Sequence, residues 1–227
     1  MYSVAKFKTE GYIPELLDPS FTIGEPLGSE DILNTCKGTD CKYITKMIPI
    51  IKRRISPCYS HEDVVRNEIL ISQIAGDSNI GPRIYSKSID KNKGALIMDK
   101  YDGDLDMLMN LYQDGVSVPI VEIMSNVTKL IQKLHDINIV HRAIHPGNIF
   151  YTKEGIIALG DYGSALISDA KALQDEDWSM YNAIANTINS VGQDDRSWNE
   201  IYRQLALRQL SPVKILFNNE LCDYQNP

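Results

Sequence analysis

Two stretches of the chain concentrate groups able to do chemistry: His141-Arg142-Ala143-Ile144-His145-Pro146-Gly147-Asn148 and Asp161-Tyr162-Gly163. Asn148 offers an amide oxygen and Asp161 a carboxylate, the oxygen donors that hard divalent cations take. Each has a plainer role when taken alone. Asn148 could cap the turn after Pro146-Gly147, and Asp161 could close a strand. Glu68 is a third candidate, and it stands in an odd place. It falls between Val64, Ile71 and Ala75 at spacings of 4, 3 and 4, hence on one face of a helix. A charge inside an apolar stripe needs a partner.

The elements that must position these groups can be read from periodicity. Residues 21–28 start extended and are expected to break at Pro26 and Gly28. After a turn at Lys37-Gly38-Thr39-Asp40, residues 41–51 alternate through Tyr43, Thr45 and Met47 as a strand. Residues 94–101 form another short apolar run of strand length. Ser60 and Asp63 make a capping box ahead of the helix that carries Glu68. Beyond it, Ile120, Met124, Val127, Ile131 and Leu134 recur at helical spacing over 119–135. Further helices are expected at about 170–191 and 196–210, with Trp178 and Trp198 in their core faces. Strands with one helix, then mostly helices, predict an α+β fold of two lobes, residues 1–98 and 99–227, joined near Asp99-Lys100-Tyr101.

The 227 residues suffice for one large domain or two small lobes. Lys and Arg number 23 against 30 Asp and Glu, a net charge of −7 that excludes a general nucleic-acid coat. No apolar run approaches the roughly 18 residues of a membrane span, and residues 1–12 lack the apolar core of a secretory signal. Cys36, Cys41, Cys58 and Cys222 make neither a disulfide framework nor a metal-spaced set, so reduced thiols in a cytoplasmic setting are expected. Lys52-Arg53-Arg54 reads as a solvated loop, with contact to an acidic partner surface as the sharper alternative.

The two chemistry-bearing stretches resemble the protein-kinase superfamily, whose catalytic loop reads H-R-D-x-x-x-x-N and whose metal motif reads D-F-G. Asn148 lies five positions after Ala143, and Asp161 eighteen after it, as in that family. The resemblance implies ATP and Mg²⁺ as cofactors, with Asp161 and Asn148 as metal ligands. It makes Lys46 the strand lysine that contacts the α- and β-phosphates and Glu68 its ion-pair partner, with Lys42 as the rival lysine. Met98, Asp99 and Tyr101 would then border the nucleotide. The family's G-x-G-x-x-G loop is reduced to Gly24 and Gly28, followed by Glu30 and Asp31, which implies weaker nucleotide binding. His145 stands where many protein kinases carry lysine, either touching the γ-phosphate or packing. Asp177-Trp178 resembles the start of the central C-lobe helix, whose aspartate accepts hydrogen bonds from the catalytic-loop backbone.

Two departures shape the functional expectation. Asp177 follows Asp161 by only sixteen positions, and no A-P-E segment lies between them. The chain resembles the minimal kinases of bacterial effectors and large viruses, which would place it in a host-cell cytoplasm. Ala143 occupies the position of the family's catalytic aspartate, which orients the substrate hydroxyl and accepts its proton. The resemblance therefore implies a minimal Ser/Thr protein kinase acting on a protein partner and inactive as written. A natural pseudokinase that grips a partner is the alternative, and His145-Pro146-Gly147-Asn148 also resembles small-molecule kinases. An Asp→Ala change made on a working enzyme and a natural loss both fit Ala143; the retained Lys46, Glu68, Asn148 and Asp161 favour the former.

Overall fold

The computed structural model describes residues 3–6, 17–50, 59–90, 92–190, 213–217 and 220–224. A short first strand, β1 (Ser3–Lys6), precedes three consecutive antiparallel strands: β2 (Phe21–Leu27), β3 (Ser29–Lys37) and β4 (Asp40–Pro49). Pro26 does not end β2. The strand absorbs it in a register irregularity, and Gly28 then turns the chain at φ 80°, a left-handed conformation open to glycine. Helix α1 (His61–Asp77) follows, then β5 (Ile84–Ile89) and β6 (Lys93–Asp99). These five strands form one antiparallel sheet in the order β2-β3-β4-β6-β5.

Alternation in β4 explains how this sheet is built. Tyr43 packs on one face with Phe21 and Ile97, while Ile48 packs on the other with Val65 and Ile69 of α1, Leu96 and Met98. Thr35 and Thr45, both fully buried, satisfy one another through hydroxyls 2.7 Å apart. Helix α1 starts where its capping box predicts: Ser60 Oγ accepts from the Asp63 N–H and the Ser60 N–H donates to Asp63 Oδ2. Its buried stripe holds Val64, Glu68, Ile71 and Ala75.

The rest of the chain is built on helices. A two-residue strand β7 (Gly103–Asp104) leads into α2 (Leu105–Gln113), then α3 (Ile120–Asp136) and β8 (Ile139–Val140). Next come β9 (Ile149–Tyr151), β10 (Ile157–Leu159), β11 (Leu166–Ile167) and α4 (Lys171–Ser190). The five apolar residues expected on α3 all enter the larger core, against Met180, Ile184 and Ile188 of α4. Each such side chain contributes about 1.5–3 kcal/mol by leaving water. Trp178 packs against this core, as expected. The expected helix at 196–210, Trp198, Lys52-Arg53-Arg54 and Cys58 lie outside the described residues. No helix among those described is long and apolar enough to cross a membrane.

Strand β1 lies outside the first sheet. It pairs with β11 and with β12 (Val213–Phe217), which pairs in turn with β13 (Glu220–Tyr224), giving the order β13-β12-β1-β11-β8. The thiols of Cys36 and Cys41 are not reduced but form a disulfide. The β3–β4 turn explains it: Lys37 pairs with Asp40, so the residues that flank this pair face each other across the ladder.

Candidate active site

Strand β4, helix α1 and the turn after β10 deliver three charged side chains to one point. Lys46 Nζ lies 2.8 Å from Glu68 Oε1 and 2.8 Å from Asp161 Oδ1. Alternation sends Lys46 to the α1 side of the sheet, and the α1 stripe aims Glu68 back at it. Lys42, the rival, stays at the outer end of the strand, paired with Asp40 and mostly exposed.

The three groups meet very different surroundings: the side chains of Lys46, Glu68 and Asp161 are 23%, 7% and 52% exposed. Burial pulls the Lys46 ammonium down, but the Glu68 and Asp161 charges reverse this and hold its pKa above the ordinary value. Burial is the largest influence on Glu68 and leaves its pKa raised, with Lys46 offsetting only part. Asp161 is also pushed up by burial, yet Lys46 outweighs this and keeps it below the ordinary carboxylate value. Glu68 is thus the member that protonates first.

The loop after β8 is held by backbone hydrogen bonds. Asp177 of α4, fully buried, accepts from the His141 N–H at 2.8 Å and the Arg142 N–H at 2.7 Å, with His135 Nε2 at 2.9 Å. His141 Nε2 reaches Gly160 O at 3.0 Å, and the Gly160 N–H donates to Asn148 O at 2.9 Å. Asn148 and Asp161 are thereby drawn to the same wall. Asn148 Nδ2 donates to Ala143 O at 3.0 Å, which leaves its amide oxygen for other partners. Arg142 and Asp161 sit at φ 63° and 59°, a left-handed backbone that costs non-glycine residues energy and gathers at functional sites.

Lys46, Asn148, Gly160 and Asp161 line a cleft of two adjoining cavities. The inner one, about 210 Å³, is bordered by Lys46, Met98, Asn148, Phe150, Asp161 and Tyr162 among others. The outer one, about 530 Å³, shares Ile32, Ile44, Pro82, Met98 and Phe150 with it and adds Gly28, Asp99 and Tyr101. The inner cavity is walled mostly by apolar side chains, with charge at Lys46 and Asp161, whereas the outer one adds the charged Asp99, Lys100, Asp102 and Asp104. The Asp99 carboxylate is engaged by the Tyr85 hydroxyl at 2.9 Å and the Arg83 N–H at 3.3 Å. Tyr101, its ring 6.0 Å from Phe150, has its pKa pushed up to about 12, chiefly by burial.

Gly24, Ala143 and His145 border neither cavity. Gly24 lies within β2 beside Asn34 O. Ala143 is half-buried in the loop. Burial depresses the His145 pKa, against the pull of Asp161, Asp106 and Asp104. Ser72, Pro82, Ile84 and Phe150 line the cleft without having been expected there. Gly160 abuts the Phe150 ring so closely that a Cβ would sit 2.1 Å from it, a tertiary contact that leaves no local signal in the sequence.

Comparison with known proteins decides which family builds this arrangement: residues 23–185 match the protein kinase domain. The chain belongs to the protein kinase family. Over 149 residues it is 28% identical to the serine/threonine-protein kinase MRCK alpha of Mus musculus, covering 63% of this chain and 8% of that protein. MRCK gamma of Mus musculus is 29% identical over 119 residues, covering 52% and 7%, and MRCK beta of Homo sapiens 27% over 149 residues, covering 63% and 8%. The chain therefore spans less than a tenth of the length of these relatives. Its kinase fold is the α+β architecture expected: an antiparallel sheet with one helix, joined to a helical region.

Proposed function

We propose that this kinase domain binds ATP with Mg²⁺ in the cleft and that, as written, it is a Ser/Thr protein kinase lacking its base. The observation that carries the reading is Lys46 held between Glu68 and Asp161, 2.8 Å from each, beside an inner cavity whose other walls are mostly apolar. The residues fit the cofactor. Apolar walls suit a nucleobase, and the fixed ammonium suits phosphate. Among the described residues no cluster of three or more His, Cys, Asp or Glu could cage a metal alone. Magnesium is commonly held by one or two protein oxygens together with substrate phosphates, which Asp161 and Asn148 could provide.

When bound, Mg·ATP supplies the transferable γ-phosphoryl group and neutralises its charge. The chain's own share is positional. Lys46 orients phosphate oxygens and is itself oriented by Glu68. Asp161 and Asn148 offer oxygens to the metal, and Asp177 fixes the loop that faces the acceptor. Ala143 offers no group to orient a hydroxyl or take its proton, a loss that typically costs about 10²–10⁴-fold in rate.

Ala143 also favours a second reading, a nucleotide-binding module that grips a protein partner and transfers nothing. One experiment separates them. The chain should be stabilised thermally by Mg·ATP, Asp161→Ala should lose that response, and Ala143→Asp should phosphorylate itself or an offered protein. Mg·ATP binding without transfer by Ala143→Asp leaves the module; an unchanged response in Asp161→Ala removes the metal assignment.

A further inference from the structure

Helix α1 meets the segment after Asp161 at three points. Glu68 shares Lys46 with Asp161. Gly163 lies so close beneath that a Cβ there would stand 3.3 Å from Glu68 Oε2 and 3.6 Å from Asp161 Oδ1. One residue before Glu68, Asn67 Nδ2 donates to Ala165 O at 2.9 Å, in a spot where Asn67 is 1% exposed and Ala165 not at all.

The Asn67 amide is unusual for its place. Its Oδ1 is buried and has no hydrogen-bond partner among the described residues. A buried polar atom left unpaired is unfavourable, so packing alone would be better served by an apolar side chain. What the position uses is the donor. Successive residues of a helix point about 100° apart, so Asn67 and Glu68 grip different partners from one turn. A rotation or outward swing of α1 that carried Glu68 from Lys46 would also pull Asn67 from Ala165.

Protein kinases commonly control this helix through a phosphorylated activation loop. Here the sixteen positions from Asp161 to Asp177 hold the short turn Tyr162–Ser164, β11 and the start of α4. We infer that Asn67 is a positioning residue: its hydrogen bond to Ala165 holds α1 in the orientation that pairs Glu68 with Lys46, in place of a phosphorylated loop. The consequence for nucleotide affinity rests on the Mg·ATP reading above; the consequence for the helix does not.

The test is a double-mutant cycle in the full chain, with Mg·ATP titrated calorimetrically into Asn67→Ala, Glu68→Gln, the double variant and the unaltered protein. Hydrogen exchange of the α1 amides is followed without nucleotide. Asn67→Ala should weaken Mg·ATP about tenfold, but less than about twofold once Glu68 is Gln, because it acts through Glu68. The same factor in both backgrounds overturns the proposal, since a purely structural contribution would be additive. Exchange in residues 64–75 should quicken about tenfold in Asn67→Ala relative to α3; no such change also overturns it. Should the unaltered chain bind no Mg·ATP, the nucleotide reading fails and exchange alone decides the latch. If Asn67→Ala does not fold, Asn67→Leu, which is close to it in size and carries no donor, is judged by the same outcomes.

Discussion

Lys46→Met is the sharpest probe of the charged centre, because the cost depends on pH in a way set by Glu68. Removing one partner of a buried ion pair costs about 3–5 kcal/mol. The lower end applies here: Asp161, 52% exposed, keeps much of its hydration, and Glu68 can take up a proton. For a chain of this size, about 3 kcal/mol corresponds to a fall of roughly 6–12 °C in Tm.

The sign of the pH dependence follows from linkage. Glu68 has a folded pKa above its ordinary 4.5 because burial outweighs Lys46. A carboxyl raised in the folded state binds protons more tightly there, so stability falls as pH rises from the unfolded value through the folded one. Losing Lys46 removes the main influence that lowers Glu68 and widens that interval. The Lys46 pKa is itself raised above 10.5, so its contribution is constant at neutral and acid pH. The Tm deficit of Lys46→Met should therefore be largest near pH 8 and shrink towards about pH 5, and adding Glu68→Gln should recover part of it. Thermal unfolding followed by circular dichroism across that range reads the effect. A deficit independent of pH, or none, would refute the assignment of Glu68 as a buried, Lys46-dependent carboxylate.

Two further substitutions test the supports. Asp177→Ala leaves the buried His141 and Arg142 N–H groups without their acceptor; at about 1–3 kcal/mol each, the urea midpoint should drop by the equivalent of about 2–6 kcal/mol, and Asp177→Asn by roughly half. Gly160→Ala drives a Cβ into the Phe150 ring, an overpacking of about 1–3 kcal/mol. Phe150→Leu in the same chain should restore most of the loss by the same assay; failure to do so would place the clash elsewhere.

The parts of the fold visible in the sequence are those written locally. The cap and stripe of α1 lie within sixteen residues, from Ser60 to Ala75, and Glu68 stands out because it breaks its own apolar pattern. Asn148 and Asp161 are legible through fixed spacing from Ala143. What escaped depends on distant partners. Strand β3 runs Ser-Glu-Asp-Ile-Leu-Asn-Thr-Cys-Lys with no clean alternation, and only its two neighbours make it a strand. Helix α2 buries just Leu105 and Met109, too few for a periodic signal. The pairing of β1 with β12 joins residues over two hundred positions apart. Pro82 and Phe150 enter the cleft through tertiary packing, and the Cys36–Cys41 disulfide needed the hairpin register.

The loop around Ala143 is shaped by atoms that owe nothing to the side chain at that position. Asn148 Nδ2 binds the backbone oxygen of Ala143, Asp177 holds the two preceding N–H groups, and His141 is tied to Gly160 O. The left-handed backbone at Arg142 is fixed from outside the loop by Asp177. Ala143→Asp would thus add a carboxylate to a loop already formed, at a half-buried site where water can still reach it. Its effect belongs to rate rather than stability. Unfolding free energy should move by no more than about 0.5 kcal/mol, as for a surface change without special contacts, while phosphoryl transfer rises about 10²–10⁴-fold. A large gain in stability together with transfer would mean that the carboxylate organises the loop, and that the loop in the present chain is not preformed for catalysis.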